Sequence, residues 1–159
     1  MLTMDRKAVW KSQFAAGRRA EHRIANYLSR CGLSVATMAG PCEGFDIIII
    51  RDMACPGRWN VETVEIKNCD HAAGYGHIPI EFCCRGRPSG LAVSRADAWI
   101  FTVGETAYWI DADELRALIS HRKYRTSRSS DGNDCWIIPI LDIARAGVVF
   151  ALPPDNADA

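Results

Sequence analysis

The segment that most constrains the fold is FDIIIIR at residues 45–51, where four consecutive isoleucines follow Asp46. β-Branched residues favour an extended strand over a helix. An uninterrupted apolar run of this length is typical of an interior strand that is covered on both faces. A carboxylate at the start of such a strand must reach solvent or have a partner, because an unpaired buried charge is costly.

Hydrophobic periodicity predicts the other elements. Residues 5–30 predict an amphipathic helix with Gly32 as its stop signal, and the alternation of residues 61–67 (VETVEIK) predicts a strand. Further strands are predicted at 33–39, 78–84, 96–103, 106–111, 136–141 and 148–152, and a second helix ends near residue 120. The residues at 125–134, rich in Ser, Gly and Asp, predict a mobile loop.

The order of these elements predicts an α/β fold with a mixed central β-sheet flanked by helices. A chain of 159 residues is long enough for one core, so we expect a single domain over residues 1–152 and a flexible C-terminal tail over residues 153–159. No apolar run approaches the roughly 20 residues that span a bilayer. The polar, basic N-terminus lacks the apolar segment of a signal peptide. We therefore expect a cytoplasmic protein without membrane contact.

Charge is unevenly distributed although the formal net charge is zero. Residues 1–30 carry seven basic and two acidic side chains, a net charge of +5, and smaller basic clusters occupy residues 85–95 and 122–128. Local basic patches contact phosphates whatever the charge of the whole chain. A neutral chain therefore does not exclude a nucleic-acid partner.

Seven cysteines are scattered along the chain without a C-x-x-C spacing. A disulfide framework is not expected in a cytosolic chain that has its own core. Cys69 and His71 are the nearest approach to a pair of zinc ligands, but no second pair has the spacing of a zinc finger. The sequence therefore favours free thiols, with a cysteine- or zinc-dependent regulatory protein as an alternative.

Three charged residues on neighbouring predicted strands form the first candidate site. Glu65 and Lys67 lie two residues apart on a strand, so both point to the same face. Asp46 precedes Glu65 by nineteen positions, which is the length of a strand, a loop and a returning strand. An antiparallel return would place the two carboxylates side by side, where they could share a metal ion. The plainer alternatives are a solvated Glu–Lys pair and a polar residue at a strand entrance.

Glu21 is the fourth candidate, because it lies on the apolar stripe of the predicted first helix. That stripe should pack on the sheet. A carboxylate that points inward needs a cation or a hydrogen-bond donor. The alternative is a glutamate at the edge of the stripe that reaches water and pairs with Arg18 or Arg19.

The combination of Glu21, GFD at residues 44–46 and EIK at residues 65–67 resembles the PD-(D/E)XK nuclease superfamily. The downstream segment, from IE at residues 80–81 through PSGL at residues 88–91 to ADAW at residues 96–99, resembles its small phage and Holliday-junction-resolvase-like members. The resemblance implies a restriction-endonuclease-like fold and hydrolysis of DNA phosphodiester bonds with Mg²⁺, for which Mn²⁺ is an expected substitute. It implies metal binding by Asp46, Glu65 and the Ile66 carbonyl, with Glu21 at a second metal ion or its water. Lys67 would position the attacking water.

The resemblance extends to a secondary site at Glu81 and Ser94. It also implies a set of arginines that hold the DNA backbone without reading bases, namely Arg18, Arg19, Arg23, Arg85, Arg87 and Arg95. The implied function is a structure-specific or resolvase-like endonuclease in DNA repair or recombination. Because one site cuts one strand at a time, a homodimer is expected for paired cuts. No small-molecule organic cofactor is expected.

Two further functions stay open at this point. A catalytically inactive nucleic-acid-binding module would keep the fold without the chemistry, and metal binding would distinguish the two. An enzyme of another class is less favoured, because no phosphate-binding P-loop, nucleophile-elbow or HExxH motif is present. Duplex, single strand, flap, four-way junction and RNA all remain candidate substrates.

Overall fold

The computed structural model describes residues 6–38, 44–52 and 59–154. Residue 5 of the predicted first helix and residue 39 of the predicted first strand lie outside this range. The elements follow one another along the chain as α1 (Arg6–Arg30), β1 (Ser34–Thr37), β2 (Ile47–Asp52), β3 (Trp59–Asn68), α2 (Ala72–Tyr75), β4 (His77–Cys84), β5 (Arg87–Pro88), a 3₁₀ turn (Gly90–Ala92), β6 (Ala98–Val103), β7 (Thr106–Asp111), α3 (Ala112–His121), β8 (Thr126–Arg128), β9 (Asn133–Pro139), α4 (Ile140–Ala146) and β10 (Val148–Ala151).

Six strands form the central sheet, in the spatial order β1-β2-β3-β6-β7-β10. Strands β3 and β6 run parallel, whereas the other neighbouring strands of the described sheet are antiparallel. Parallel neighbours need a crossover connection, and the crossover here contains α2, β4, β5 and the 3₁₀ turn. The predicted α/β fold with a mixed central sheet flanked by helices is therefore confirmed.

A second sheet of four antiparallel strands, in the order β5-β4-β9-β8, goes beyond the expectation from the sequence. The prediction of a mobile loop over residues 125–134 is wrong, because β8 pairs with β9. The Arg128 guanidinium donates two hydrogen bonds of 2.6 and 2.7 Å to Asp134 across this pair. The strand predicted over residues 136–141 is too long, because β9 ends at Pro139 and α4 then buries Ile143 in the core.

The central sheet separates two hydrophobic clusters. On one face, α1 packs through Ile24 and Leu28 against Ile47 and Val64 of the sheet. On the other face, Trp99 belongs to a cluster that is shared with the second sheet, α3 and α4. Alternate residues of β3 and β6 therefore point to different layers, as the pleat requires.

Strand β2 is covered less completely than its sequence suggests. Ile47 and Ile49, on the face toward α1, are fully buried. Ile48 and Ile50, on the opposite face, are only half-buried. The interior position of β2 is confirmed, but the expectation of full cover on both faces is wrong, because β2 lies one strand from the edge of the sheet.

The first residue of the predicted C-terminal tail is hydrogen-bonded to helix α1. The backbone carbonyl of Pro153, the first residue of the predicted tail, accepts hydrogen bonds from the Arg23 guanidinium at 2.6 and 2.9 Å. Residues 155–159 lie outside the described range.

Among the residues that the structure describes, no helix is both long enough and apolar enough to cross a membrane.

Candidate active site

A cleft of about 580 Å³ lies between α1 and the C-terminal end of β3. Its walls include Glu21 of α1, Asp46 at the entrance to β2, and Ile66 and Lys67 of β3. Glu65 stands beside Lys67, with which it forms an ion pair. The fold thus brings the four residues predicted from the sequence to one place.

Asp46 is fixed between two strands by the antiparallel register. Ile47 pairs with Val64, so Asp46 stands opposite Glu65 at the next position. The backbone N–H of Asp46 donates to the Val64 carbonyl at 2.9 Å, and its carboxylate accepts a 2.7 Å hydrogen bond from the Ile66 N–H. The carboxylate therefore bridges β2 to the part of β3 that carries the other charged groups.

The environment of Asp46 disfavours its negative charge. Burial and the nearby Glu65 carboxylate raise the pKa of Asp46 to about 6, with a smaller contribution from Glu21. The Ile66 N–H and the Lys67 ammonium act in the opposite direction but do not compensate. The cleft therefore holds an excess of negative charge that a bound cation would relieve.

Glu65 and Lys67 form a short ion pair on one face of β3. The Lys67 Nζ lies 2.5 Å from the Glu65 Oε1, and the Glu65 side chain is 14% exposed whereas that of Lys67 is 46% exposed. Burial lowers the pKa of Lys67, but attraction to Glu65, Asp46 and Glu81 outweighs it, so the pKa is raised. Lys67 therefore keeps its proton and acts as a hydrogen-bond donor and positive charge.

Glu21 is held by a cation of its own helix. The Arg18 guanidinium lies 2.5 Å from the Glu21 Oε2 and also donates to the Met38 carbonyl at 3.2 Å. Gly17 lies one helical turn before Glu21, and no heavy atom of the described residues outside its own helix lies within 4 Å of the position that a Cβ would take. The missing side chain at Gly17 keeps the cleft open in front of the carboxylates.

The donor set fits a hard divalent cation in its chemistry but is not assembled around one point. In the part of the chain that the structure describes, no three His, Cys, Asp or Glu side chains are arranged to hold a metal ion. Instead, Glu21 pairs with Arg18 and Glu65 pairs with Lys67. Carboxylate oxygens are the ligands that Mg²⁺ prefers. A cation would therefore have to replace these two internal partners.

The two residues of the predicted secondary site have different surroundings. Glu81 of β4 lies near enough to Lys67 to contribute to its raised pKa, and it lines a second cavity next to the cleft. The Ser94 hydroxyl donates to the Gly44 carbonyl at 3.2 Å and accepts from the Ala96 N–H at 3.2 Å. Ser94 thus fixes the turn that leads into Asp46.

The predicted phosphate-binding arginines of α1 also differ. Arg19 is exposed and lines a small cavity of about 70 Å³ that shares Asn68 and Asp70 with the cleft. The Arg23 guanidinium donates to the Pro153 carbonyl and, at 2.8 Å, to the Gly104 carbonyl. Arg23 therefore joins α1 to two distant segments, whereas Arg19 is accessible beside the cleft.

The remaining predicted arginines lie outside the cleft. Arg85, Arg87 and Arg95 are exposed, and Arg95 lines a groove of about 480 Å³ together with Gly44 and Ser89. This groove starts at the turn before Asp46, so a bound chain could run from it toward the cleft. The structure therefore places Arg95 beside the turn that leads into Asp46.

Sequence reasoning did not assign to this site the residues at the end of β3 and directly after it, although it weighed Cys69 and His71 as zinc ligands. Asn68, Asp70 and His71 line the cleft. The Asn68 Oδ1 accepts from the Asp70 N–H at 3.1 Å, and the Asp70 Oδ1 accepts from the Gly104 N–H at 2.9 Å. The signal was present, because four residues with polar or ionisable side chains (NCDH) follow EIK without interruption.

The chain has no match among known proteins. No protein-family model, no curated protein and no solved structure matches it. The function of the cleft is therefore inferred from its own residues: three carboxylates, a protonated lysine and accessible arginines.

Proposed function

We propose that the protein is a metal-dependent deoxyribonuclease whose active site consists of Glu21, Asp46, Glu65 and Lys67. The observation that carries the proposal is that Asp46 and Glu65 lie opposite each other with Lys67 beside them, where burial and the Glu65 carboxylate raise the pKa of Asp46 to about 6. A site with perturbed titration in an open cleft is a typical catalytic arrangement. We expect the reaction to be endonucleolytic hydrolysis of DNA phosphodiester bonds.

The charge of the cleft supports a metal requirement. Three carboxylates repel a phosphodiester unless a cation is bound between them. Asp46, Glu65 and the Ile66 carbonyl would hold Mg²⁺ or Mn²⁺, with Glu21 completing the donor set. When bound, the cation supplies charge neutralisation at the phosphoryl oxygens and lowers the pKa of water.

The protein's own groups have separate tasks in this scheme. Lys67 keeps its proton because its pKa is raised, so it orients the attacking water and stabilises negative charge on the phosphoryl group rather than removing a proton. The Asp46–Ile66 hydrogen bond fixes the carboxylate relative to Lys67. If Glu21 held the cation, the Arg18 guanidinium would lose its present partner and could contact a DNA phosphate.

A second candidate function is a catalytically inactive nucleic-acid-binding module with the same fold. The observation in its favour is that Arg18 and Lys67 already neutralise Glu21 and Glu65. Such a module would need no metal ion. A cytoplasmic location, a role in DNA repair or recombination and a homodimer that makes paired cuts belong to the nuclease proposal.

The test is cleavage of labelled duplex, single-stranded, flap and four-way-junction DNA in Mg²⁺ and in EDTA. Wild-type protein should cut at least one substrate in Mg²⁺ and none in EDTA. Asp46→Asn should lose at least about 100-fold in rate, because removal of a group that acts only in the transition state costs several kcal/mol. Asp113→Asn, at a side chain on α3 that is 98% exposed, is the matched control.

Equal rates for Asp46→Asn and Asp113→Asn would contradict the nuclease proposal, since a contaminating enzyme would then be the source of the activity. Tight DNA binding without cleavage in any metal ion would favour the inactive binding module. Cleavage that is lost in EDTA and in Asp46→Asn alone would leave only the choice of substrate open.

A further inference from the structure

A second cavity of about 270 Å³ adjoins the cleft and has no role in the mechanism above. The two spaces share Lys67, Asn68 and His71. The other walls come from β4 and β9 of the second sheet, from the loop after β3 and from Trp99 of β6. A strand of nucleic acid whose phosphate lies at Lys67 therefore has this cavity next to it.

The walls of this cavity offer both hydrogen-bond donors and an acceptor. Lys67 and the Asn68 amide are donors, and the Glu81 carboxylate is an acceptor. Trp99 also lines the cavity but is only 1% exposed, and its indole N–H has no hydrogen-bond partner among the described residues. A buried donor without a partner is costly, so an acceptor that reached this N–H after a shift of the wall would relieve that cost.

The remaining wall is uncharged. Burial raises the pKa of the Cys69 thiol to about 12, so Cys69 stays protonated. Burial, the Glu81 carboxylate and Asp134 raise the pKa of Cys135 as well. Neither thiol is therefore suited to bind a metal ion or to act as a nucleophile here. A phosphate group is disfavoured too, because it would lie beside the Glu81 carboxylate.

We propose that this cavity takes the base of the unpaired nucleotide next to the phosphate that is cut. The proposal rests on the nuclease function inferred for the cleft. The volume equals about nine water molecules at about 30 Å³ each, which suits one flat heteroaromatic ring. The edge of a nucleobase carries both hydrogen-bond donors and acceptors, which match the donors and the acceptor of the walls. An uncharged ring can also lie against the two thiols of the cavity.

The proposal restricts the substrate class. A base that is stacked and paired within a duplex cannot enter a side cavity, so it must be extruded or already unpaired. The cost of extrusion is least for a base that lies in a single strand, in a flap or at a branch point. The protein should therefore prefer single-stranded or branched DNA over a fully paired duplex.

The test uses single-stranded oligonucleotides that carry one abasic residue, which is moved position by position along the strand. Binding is measured by fluorescence anisotropy in Ca²⁺, and cut positions are mapped separately in Mg²⁺. We expect one position, next to the cut phosphate, where the missing base weakens binding roughly tenfold, as for the loss of one base contact. Missing bases elsewhere should matter less.

Two variants test whether the missing base would have bound in the cavity. Cys135→Leu fills the cavity, and Cys135 does not line the cleft. This variant should weaken binding of the intact strand roughly tenfold. It should not further weaken binding of the strand whose abasic residue lies at the sensitive position. Trp99→Phe keeps a ring and removes the N–H, so it should show the same pattern if Cys135→Leu does not fold. Cys31→Leu, at an exposed residue after α1, is the matched control.

The outcomes separate this proposal from the nuclease proposal. No cleavage of any strand by the wild type in Mg²⁺ would count against the nuclease. Cleavage without any sensitive abasic position, or equal losses for intact and abasic strands in both cavity variants, would overturn the base-binding cavity alone. Equal cleavage of a fully paired duplex and a single strand would also overturn it.

Discussion

The Asp46 carboxylate accepts a 2.7 Å hydrogen bond from the backbone N–H of Ile66, the residue between Glu65 and Lys67. This bond joins two strands at the one position where three charged side chains meet. From the described residues the carboxylate receives this one hydrogen bond, in a region where burial and two other carboxylates disfavour its charge. These surroundings favour the protonated form of Asp46 over its charged form.

The stability of the metal-free protein should fall as the pH rises from about 4 to about 6. The folded-state pKa of Asp46, about 6, lies above the value near 4 of an unfolded chain. Between these values the native state binds more protons than the unfolded state, so the free energy of unfolding decreases with pH. Asp46→Asn removes this loss and should be more stable than the wild type in EDTA at about pH 8, by about 1–2 kcal/mol after allowance for partial solvent screening.

The measurement is urea unfolding of both proteins in EDTA at about pH 5 and about pH 8. The difference between them should be about half as large at the lower pH, which lies midway between the folded and unfolded pKa values of Asp46. Mg²⁺ should reverse the order at the higher pH, because it stabilises only the protein that binds it. A variant that is less stable than the wild type in EDTA at both pH values would show that the carboxylate is not strained.

Arg18→Gln should bind Mg²⁺ more tightly than the wild type in the absence of DNA. Glu21 is then no longer paired with the guanidinium and is available to the cation. Partly exposed ion pairs contribute at most about 1 kcal/mol, so the gain should be up to about fivefold. Isothermal calorimetry measures it directly. The control is Arg116→Gln, which breaks a similar i,i+3 pair with Asp113 on α3, and an unchanged affinity in Arg18→Gln would argue against Glu21 as a metal ligand.

Arg19 and Arg23 should behave differently although both belong to α1. Arg19→Gln should weaken DNA binding and lower the slope of log affinity against log salt by about 1, as expected for one lost phosphate contact. Arg23→Gln should leave that slope unchanged and lower the thermal stability, because its hydrogen bonds hold the Gly104 and Pro153 carbonyls. Equal salt slopes for the two variants would remove Arg19 from the phosphate-binding set.

Gly90→Ala should destabilise the protein by about 2–4 kcal/mol. Gly90 has a φ of +52°, and a Cβ there would lie 2.3 Å from the backbone carbonyl oxygen of Glu81. Gly86→Ala is the matched control, since Gly86 has a φ of +80° but no atom within 4 Å of the added carbon. It should cost only about 1 kcal/mol, from the backbone conformation alone. Similar unfolding midpoints for the two variants would show that β4 and the 3₁₀ turn separate easily.

The cluster of Asp46, Glu65 and Lys67 was predictable because strand geometry is simple. The i,i+2 spacing alone places Glu65 and Lys67 on one face, and one antiparallel return brings Asp46 opposite Glu65. Glu21 was predictable from the apolar stripe around it. What sequence periodicity does not contain is the choice of ionic partners, so the pairing of Glu65 with Lys67 and of Glu21 with Arg18 in place of a ready-made metal site emerged only from the structure.

The second sheet was not predictable from local pattern. Strands β4 and β9 pair across some fifty residues of sequence, and no spacing rule links segments so far apart. Helix α4 begins within the apolar run WIIPIL, at Ile140, although such a run is typical of one continuous strand. Likewise, the sequence does not show that Arg19 and Arg23 have different roles, because the carbonyls that accept from Arg23 belong to distant segments.

The parallel pairing of β3 with β6 has a consequence for the way the chain acquires its structure. Strands β1, β2 and β3 form a local meander, so Asp46, Glu65 and Lys67 can meet early and at small entropic cost. The β3–β6 ladder requires closure of the whole intervening crossover first. During synthesis, the cleft should therefore take shape while the wall contributed by β9 is still being made, and the adjoining cavity should be among the last features to form.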